Sequence, residues 1–434
     1  MTGIVFKFSR LGVGRNTLLA MAFASLSLSA SAAATIDVTK VRQRWPWNNK
    51  VDVTYTIAAD NADKRVNKVT ITTVIDGQTC MVYDGAPNEN ATPGTHTVTW
   101  ENAPAGAKSS ALTMNAAIYS AIVPEGDDYM IIDFKDGSIK YEGLFPDGAI
   151  AGYSGQELSN ARYNCDKYKS THYPLRKIPK GTYKTGDSAN FGSGGDLNTD
   201  AVWTTDKVFY IGVFKWTNYQ YWHVLDKVSS AEQMTCKDRS LKFNASIRGV
   251  TDSTIAPARL KTDSYNVLEW LNAKTYESGS SLVFDLPTEL MHEIATRAGT
   301  ETPFFWGTDV SLASEYAVCG RSGTRPGLGW TEVGTKKPNA WGLYDMVGLQ
   351  WEWCLDCYVK GNNPATHSDV FTPFVASTTL RRVRSGTGVD AAVSMRSSRR
   401  SAGKGGAADG DQFSFRISCI IPNAEEPAPG EGEE

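Results

Sequence analysis

The chain predicts an α+β protein in two successive parts, an all-β sandwich followed by a larger, loop-rich domain with two helices. Three observations carry that prediction. Apolar residues recur at every second position from Ile36 to about Val123, two later segments carry them at helical spacing, and most of the remainder of 174–421 is Gly-rich irregular chain. A period of two describes strands buried on one face, and a period near 3.6 describes helices. The 434 residues suffice for two or three domains.

The first 34 residues carry Lys7, Arg10 and Arg15, then the apolar stretch "TLLAMAFASLSL", then "SASAAA" with its small residues ending near Ala32 or Ala34. That is the layout of a secretory signal peptide, too short in its apolar part to span a bilayer comfortably. The mature chain is therefore expected to be secreted or extracytoplasmic, in a periplasm or at a cell surface, without a transmembrane segment. Residues 35–123 follow, with "VDVTYTI", "KVTITTVID", "HTVTW" and "ALTMNAAI" separated by turn-rich pieces such as "GAPNENATPG". Half-buried strands broken by turns at such spacing predict a sandwich of the immunoglobulin-like kind, with "WPWNN" supplying aromatic core contacts.

Residues 124–173 read as a linker with one or two strands. Residues 174–421 form the second domain, whose helices are expected in "TDSYNVLEWLNAKTYES" and "LPTELMHEIATRAGT". Pro287 stands at the start of the latter, with Leu290, Ile294 and Ala298 at helical spacing and His292 expected half-exposed. Residues 422–434, acidic and rich in Pro and Gly, cannot bury enough apolar surface to offset their ordering entropy and read as a disordered tail.

Lys and Arg number 44 against 47 Asp and Glu, so no global field recruits nucleic acid. Seven cysteines, Cys80, Cys165, Cys236, Cys319, Cys354, Cys357 and Cys419, are too scattered for a disulfide-built scaffold, and an odd number leaves one unpaired within the chain. Their pairing stays open. The pair Cys354 and Cys357 has C-x-x-C spacing but lacks the second pair that zinc needs and the strand-to-helix setting of a redox motif, which favours a structural disulfide or buried thiols.

Six motifs occur in order: "IPKGTYKTGD", "VFYIGVFKWTNYQY", "LPTELMHEIATRAG", "FFWGTD", "VGTKKPNAWGLYDMVGLQWEW" and "RRVRSGT…FSFRI". Together they resemble the sulfatase-modifying-factor family of formylglycine-generating-enzyme-like domains over about residues 174–421. The resemblance implies a C-type-lectin-like fold of two helices, small twisted sheets and long loops, often with calcium. Family activities range from copper-dependent oxidases that convert a sulfatase cysteine to formylglycine, through iron-dependent sulfoxide-forming enzymes, to ligand binders without chemistry.

The resemblance also locates candidate sites. Copper-dependent members carry two cysteines shortly after the segment matching "RSGT", since soft thiolates suit copper(I). Here the stretch from Arg384 to Ser418 holds none, and Met395 is its sole soft donor. Catalytic residues are therefore expected to be absent, with copper and iron disfavoured; His96, His172, His223, His292 and His367 are widely dispersed. In calcium-binding relatives the positions matching Asp345 and Glu352 give carboxylates, and those matching Gly348 and Gln350 give carbonyls, so the resemblance implies one structural calcium site here. A second family calcium site is lost, because Val318 stands where an Asn would coordinate, and Leu349 replaces the usual Asn of "GNxWEW". Trp341, Tyr344, Trp351 and Trp353 are expected to support these loops from the core.

Arg396, Arg399 and Arg400, among small residues, and Asp411 beyond them are the candidate ligand-binding residues, since guanidinium groups pair bidentately with carboxylates and sulfates. The leading expectation is an exported, non-catalytic module binding an acidic glycan or an extracellular protein. The alternatives are a metal-dependent oxidase acting on a sulfatase cysteine and an envelope or matrix component.

Overall fold

The computed structural model describes residues 34–58, 64–108, 112–187, 199–217, 219–220, 267–320, 332–361, 363–378, 380–404 and 413–422. The expected signal peptide through residue 33, the tail from residue 423 and Asp411 lie outside the described residues. From Ala34 onward the chain packs as one unit.

The period-two region folds into two three-stranded antiparallel sheets. One runs β1 (Ile36–Gln43), β2 (Val51–Ile57) and β5 (Gly94–Trp100); the other places β3 (Arg65–Ile75) between β4 (Gln78–Asp84) and β6 (Met114–Ile122). Along β2, Val51, Val53, Tyr55 and Ile57 are buried and the residues between them are half-buried, as the alternation predicts. These side chains share one apolar cluster with Val69 and Ile71 of β3, so the two sheets face a common core. Trp47 packs against that cluster, whereas Trp45 is 89% exposed and contributes nothing to it.

Residues 124–173 do more than connect. β7 (Tyr129–Asp133) and β8 (Ile139–Glu142) join a six-stranded sheet of order β13-β18-β12-β9-β7-β8, made with β9 (His172–Ile178), β12 (Phe209–Gly212), β13 (Phe284–Asp285) and β18 (Ser418–Ile420). Between β8 and β9 lies α1 (Gly155–Tyr163), opened by a capping box in which Ser154 and Glu157 each satisfy the other's backbone N–H. Only glycine fits at its first position, because a Cβ on Gly155 would lie 1.6 Å from the Phe145 carbonyl oxygen. Leu158 of this helix packs with Val66, Ala121, Phe145 and Ile150, and Asn88 Nδ2 donates to the Ala161 carbonyl at 3.2 Å. Both contacts tie the N-terminal sheets to α1 and, through it, to the six-stranded sheet.

The rest comprises a hairpin of β10 (Gly181–Thr185) and β11 (Ala201–Thr205), helices α2 (Val267–Glu277), α3 (Glu289–Arg297) and the single turn α4 (Ala313–Tyr316), and a four-stranded sheet. That sheet has the order β16-β15-β14-β17, from β14 (Trp351–Cys357), β15 (Leu380–Arg384), β16 (Arg400–Lys404) and β17 (Phe413–Ser414). α2 buries only Val267, Leu268, Leu271 and Thr275. α3 differs: all nine of its residues are buried, capped by the Thr288 side chain, which accepts from Met291 N–H. His292 is thus enclosed, not half-exposed, because α3 is covered on its polar face as well. Trp353 and Tyr344 are in the core as expected, while Trp341 and Trp351 are half-buried at its margin. No helix among the described residues is long and apolar enough to cross a membrane.

Candidate functional site

The stretch 342–358 ends in β14, whose Glu352 is fully buried against α3, β12 and the approach to β18. A buried carboxylate must be paired or protonated, and this one is paired three times. Arg416 donates Nε to Oε2 at 2.7 Å and Nη2 to Oε1 at 2.9 Å; His292 Nε2 lies 3.0 Å from Oε2; and Lys215 Nζ bonds Oε1. Burial alone would push the Glu352 carboxyl up, but Arg416, Lys215 and His292 outweigh it and hold it well below the usual range. An ionised carboxylate only accepts, so the His292 Nε2 carries the proton. Burial holds this imidazole at about 4 and therefore neutral at pH 7.

Of the four positions expected to hold calcium, Gln350 and Glu352 meet at an ammonium. Lys215 Nζ donates to the Gln350 carbonyl at 2.9 Å, to Ser385 Oγ at 2.9 Å and to Glu352 Oε1. Gly348 is one bond further out, its carbonyl accepting from Ser385 Oγ at 3.0 Å. Asp345 is buried, accepts from Gly334 N–H at 2.8 Å through Oδ2, and has no hydrogen-bond partner for Oδ1. Lys215 has no exposed surface, and all three of its protons are used. This donor set does not fit calcium. The ion needs six to eight oxygens at roughly 2.3–2.6 Å, and the best-placed oxygens already face the Lys215 ammonium, whose pKa burial lowers to about 8 and which is charged at pH 7. Where a structural calcium is expected, at Asp345, Gly348, Gln350 and Glu352, the structure sets the Lys215 ammonium against Gln350 and Glu352.

Backbone geometry fits a built cage. Asp345 (φ 55°), Leu349 (φ 67°) and Ser385 (φ 89°) are all left-handed, a conformation costing a non-glycine residue about 1–2 kcal/mol. Gly348 N–H donates to the Ser385 carbonyl at 2.9 Å and locks the two turns together. Val318 is buried beside them, its carbonyl accepting from Leu349 N–H at 2.9 Å.

A second buried charge cluster lies at the start of α3. Glu289 is bonded by Arg400 Nη2 at 2.6 Å and faces Arg384 Nη2 at 3.5 Å and His367 Nε2 at 3.3 Å. Glu293 pairs with Arg384 and Arg297, each at 2.9 Å. Glu289, Asp356 and His367 have donor atoms close enough for a metal. The guanidinium groups of Arg400, Arg384 and Arg382, however, already crowd Glu289 and oppose any further cation.

The arginines expected to meet a ligand turn inward. Arg400 is buried in its pair with Glu289. Arg396 donates Nε to Asp187 Oδ2 at 2.9 Å, and Arg399 lies over the Trp351 ring with Nη2 3.2 Å from Asp390 Oδ1. Elsewhere among the described residues, a groove of about 570 Å³ lies between the start of β3, the loop following β4, and helix α1 with the turn after it. Arg65, Arg162, Lys167, Asn88 and Tyr168 line it, with Glu89 as an acidic member.

The described cysteines, Cys80, Cys165, Cys319, Cys354, Cys357 and Cys419, are free thiols, and Cys354 and Cys357 are both buried in β14. Of the two readings of the C-x-x-C, buried thiols are the one seen. Burial pushes the Cys419 thiol up to about 12 and the Cys354 thiol well above its ordinary value, so both are protonated at pH 7.

Sequence reasoning missed Lys215 and Arg416. Both lie inside the ordered motifs, in "VFKWTN" and "FSFRI"; a charged residue flanked on both sides by large apolar ones was the available signal.

Comparison with known proteins bears on the whole of this region. Residues 170–418 match the sulfatase-modifying factor enzyme 1-like domain. A formylglycine-generating enzyme from Thermomonospora curvata is 29% identical over 115 residues, 24% of this chain; the match spans only 37% of that relative's length. Among solved structures, PvdO from Pseudomonas aeruginosa is 20% identical, covering 57% of this chain and 94% of its own, with a TM-score of 0.41. Treponema denticola variable protein 1 is likewise 20% identical, covering 58% of this chain and 96% of its own, with a TM-score of 0.42. With the six ordered motifs and a match over more than half its length, the chain belongs to the family of sulfatase-modifying factor enzyme 1-like domains.

Proposed function

We propose that the chain is an exported, non-catalytic ligand-binding protein of this family, built from an immunoglobulin-like sandwich and a C-type-lectin-like domain. The observation that carries this reading is the composition of the stretch from Arg384 to Ser418. It lacks the thiolate pair that copper-dependent oxidases of the family carry there. The buried acids and bases of the site support it too, since Glu352, His292, Lys215 and Arg416 spend their hydrogen-bonding capacity on one another and on neighbouring carbonyl and hydroxyl groups.

The ligand class is an acidic glycan, and the groove is the better place for it. With Arg162 already paired to Glu142, its remaining cations Arg65 and Lys167 still outnumber its acid Glu89, and guanidinium and ammonium groups recognise carboxylate and sulfate oxygens. The test is binding of purified mature protein to sulfated and uronic-acid oligosaccharides, with Arg65→Ala/Lys167→Ala compared with Arg399→Ala. Binding weakened about tenfold or more in the groove variant alone supports the reading. Silence toward every acidic glycan, or a loss confined to Arg399→Ala, contradicts it. Formylglycine production from a cysteine peptide by copper-loaded protein would replace it with the oxidase alternative.

A further inference from the structure

We propose that the Lys215 ammonium is an internal cation that makes this fold independent of calcium, and that removing it opens a divalent-cation site made of Gln350 O, Glu352, Ser385 Oγ and Asp345. The inference does not depend on what the protein binds. It starts from stoichiometry: an ammonium has three donors, and the Gln350 carbonyl, Ser385 Oγ and Glu352 Oε1 are the three acceptors it meets.

The cage exceeds what one ammonium needs. Asp345 is a second buried carboxylate whose charge acts on Lys215, with Oδ1 unpartnered. The Gly348 carbonyl stands one hydroxyl behind, 3.0 Å from Ser385 Oγ. Two carboxylates, two carbonyls and a hydroxyl are hard oxygen donors of the kind calcium takes, and water can supply the rest. The left-handed backbone at Asp345, Leu349 and Ser385 fixes these oxygens independently of the lysine stem, which arrives from beyond β12. Truncating that stem therefore leaves a polar hole lined by oxygens whose negative charge lacks part of its counterion.

The test uses the full mature chain. Wild-type protein should keep its melting temperature after exhaustive chelation and on adding millimolar calcium, and should give no tryptophan-sensitised terbium luminescence at one equivalent. Lys215→Ala should melt about 10 °C lower without calcium, recover most of that loss with it, and show saturable terbium luminescence. Lys215→Met, whose thioether fills the space, should be destabilised without rescue. A wild-type melting temperature that falls on chelation and returns with calcium overturns the proposal. So does a Lys215→Ala protein that folds yet responds to calcium no more than wild type. If Lys215→Ala fails to fold without metal, its refolding in calcium but not in chelator supports the proposal, and failure in both overturns it.

Discussion

Arg399 and Arg400 are neighbours in the chain with different surroundings. The Arg400 side chain is 2% exposed and bonded to the buried Glu289, whereas that of Arg399 is 26% exposed and faces Asp390 over Trp351. Removing one partner of a buried pair strands the other charge in a low-dielectric interior and costs about 3–5 kcal/mol; removing a partly exposed partner costs about 1 kcal/mol or less. Arg400→Ala should therefore lower the urea midpoint sharply, and Arg399→Ala should leave it nearly unchanged. Equal effects would place both side chains in the same environment. Sequence alone could not separate the two, because what distinguishes them is α3, which brings Glu289 beneath one and not the other.

At the level of the element, α3 is a helix whose charged face is buried along with its apolar one. Asp356 Oδ2 accepts from the Glu289 N–H at 2.6 Å at its N-terminus, where the helix dipole favours a carboxylate. Burial, and after it the neighbouring Glu289, nevertheless push Asp356 up to about 6. A carboxyl raised in the folded state contributes stability that is fully present below its unfolded value near 4 and is lost as pH rises through 6. Glu289 acts in the opposite sense. Burial would raise it, but Arg400, His367, Arg384 and Arg382 hold it well below its usual range, so its contribution is present above about pH 4 and lost on acidification. Asp356→Asn should remove the first effect. Calorimetric stability of wild type relative to this variant should fall by about 2 kcal/mol between pH 4 and 7, at no more than about 1.4 kcal/mol per unit; a constant difference would contradict the assignment. The existence of α3 was legible from Pro287, Thr288 and the spacing of Leu290 and Ile294. Its full burial was not, because period 3.6 reports which residues are apolar and says nothing about pairs such as Glu293 with Arg384 that allow polar ones inside.

Across the whole molecule, the family match begins at residue 170 but the structure that completes it begins earlier. β7 and β8 belong to the six-stranded sheet, with β7 bonded to β9 along Tyr129↔Arg176 to Asp133↔His172. Removing them strips Met130 and Ile132 from one apolar cluster and leaves β9 as an unpaired edge. A fragment starting at residue 170 should be insoluble or molten by near-ultraviolet circular dichroism, and one starting at residue 124 should give a native spectrum. Equal behaviour would show that β7 and β8 are dispensable. The alternating strands of the N-terminal sheets and the motif order were readable because each is a local pattern. The cage around Lys215 joins positions 135 to 170 residues apart, a relation that only the folded chain displays. Its consequence is that Gln350 and Glu352, two of the positions the resemblance assigns to calcium, meet the chain's own ammonium. The most direct measurement is the metal content of the purified protein, saturated first with calcium and copper(I) and then dialysed exhaustively. Retention of neither metal is predicted, and one firmly held equivalent of either would contradict it.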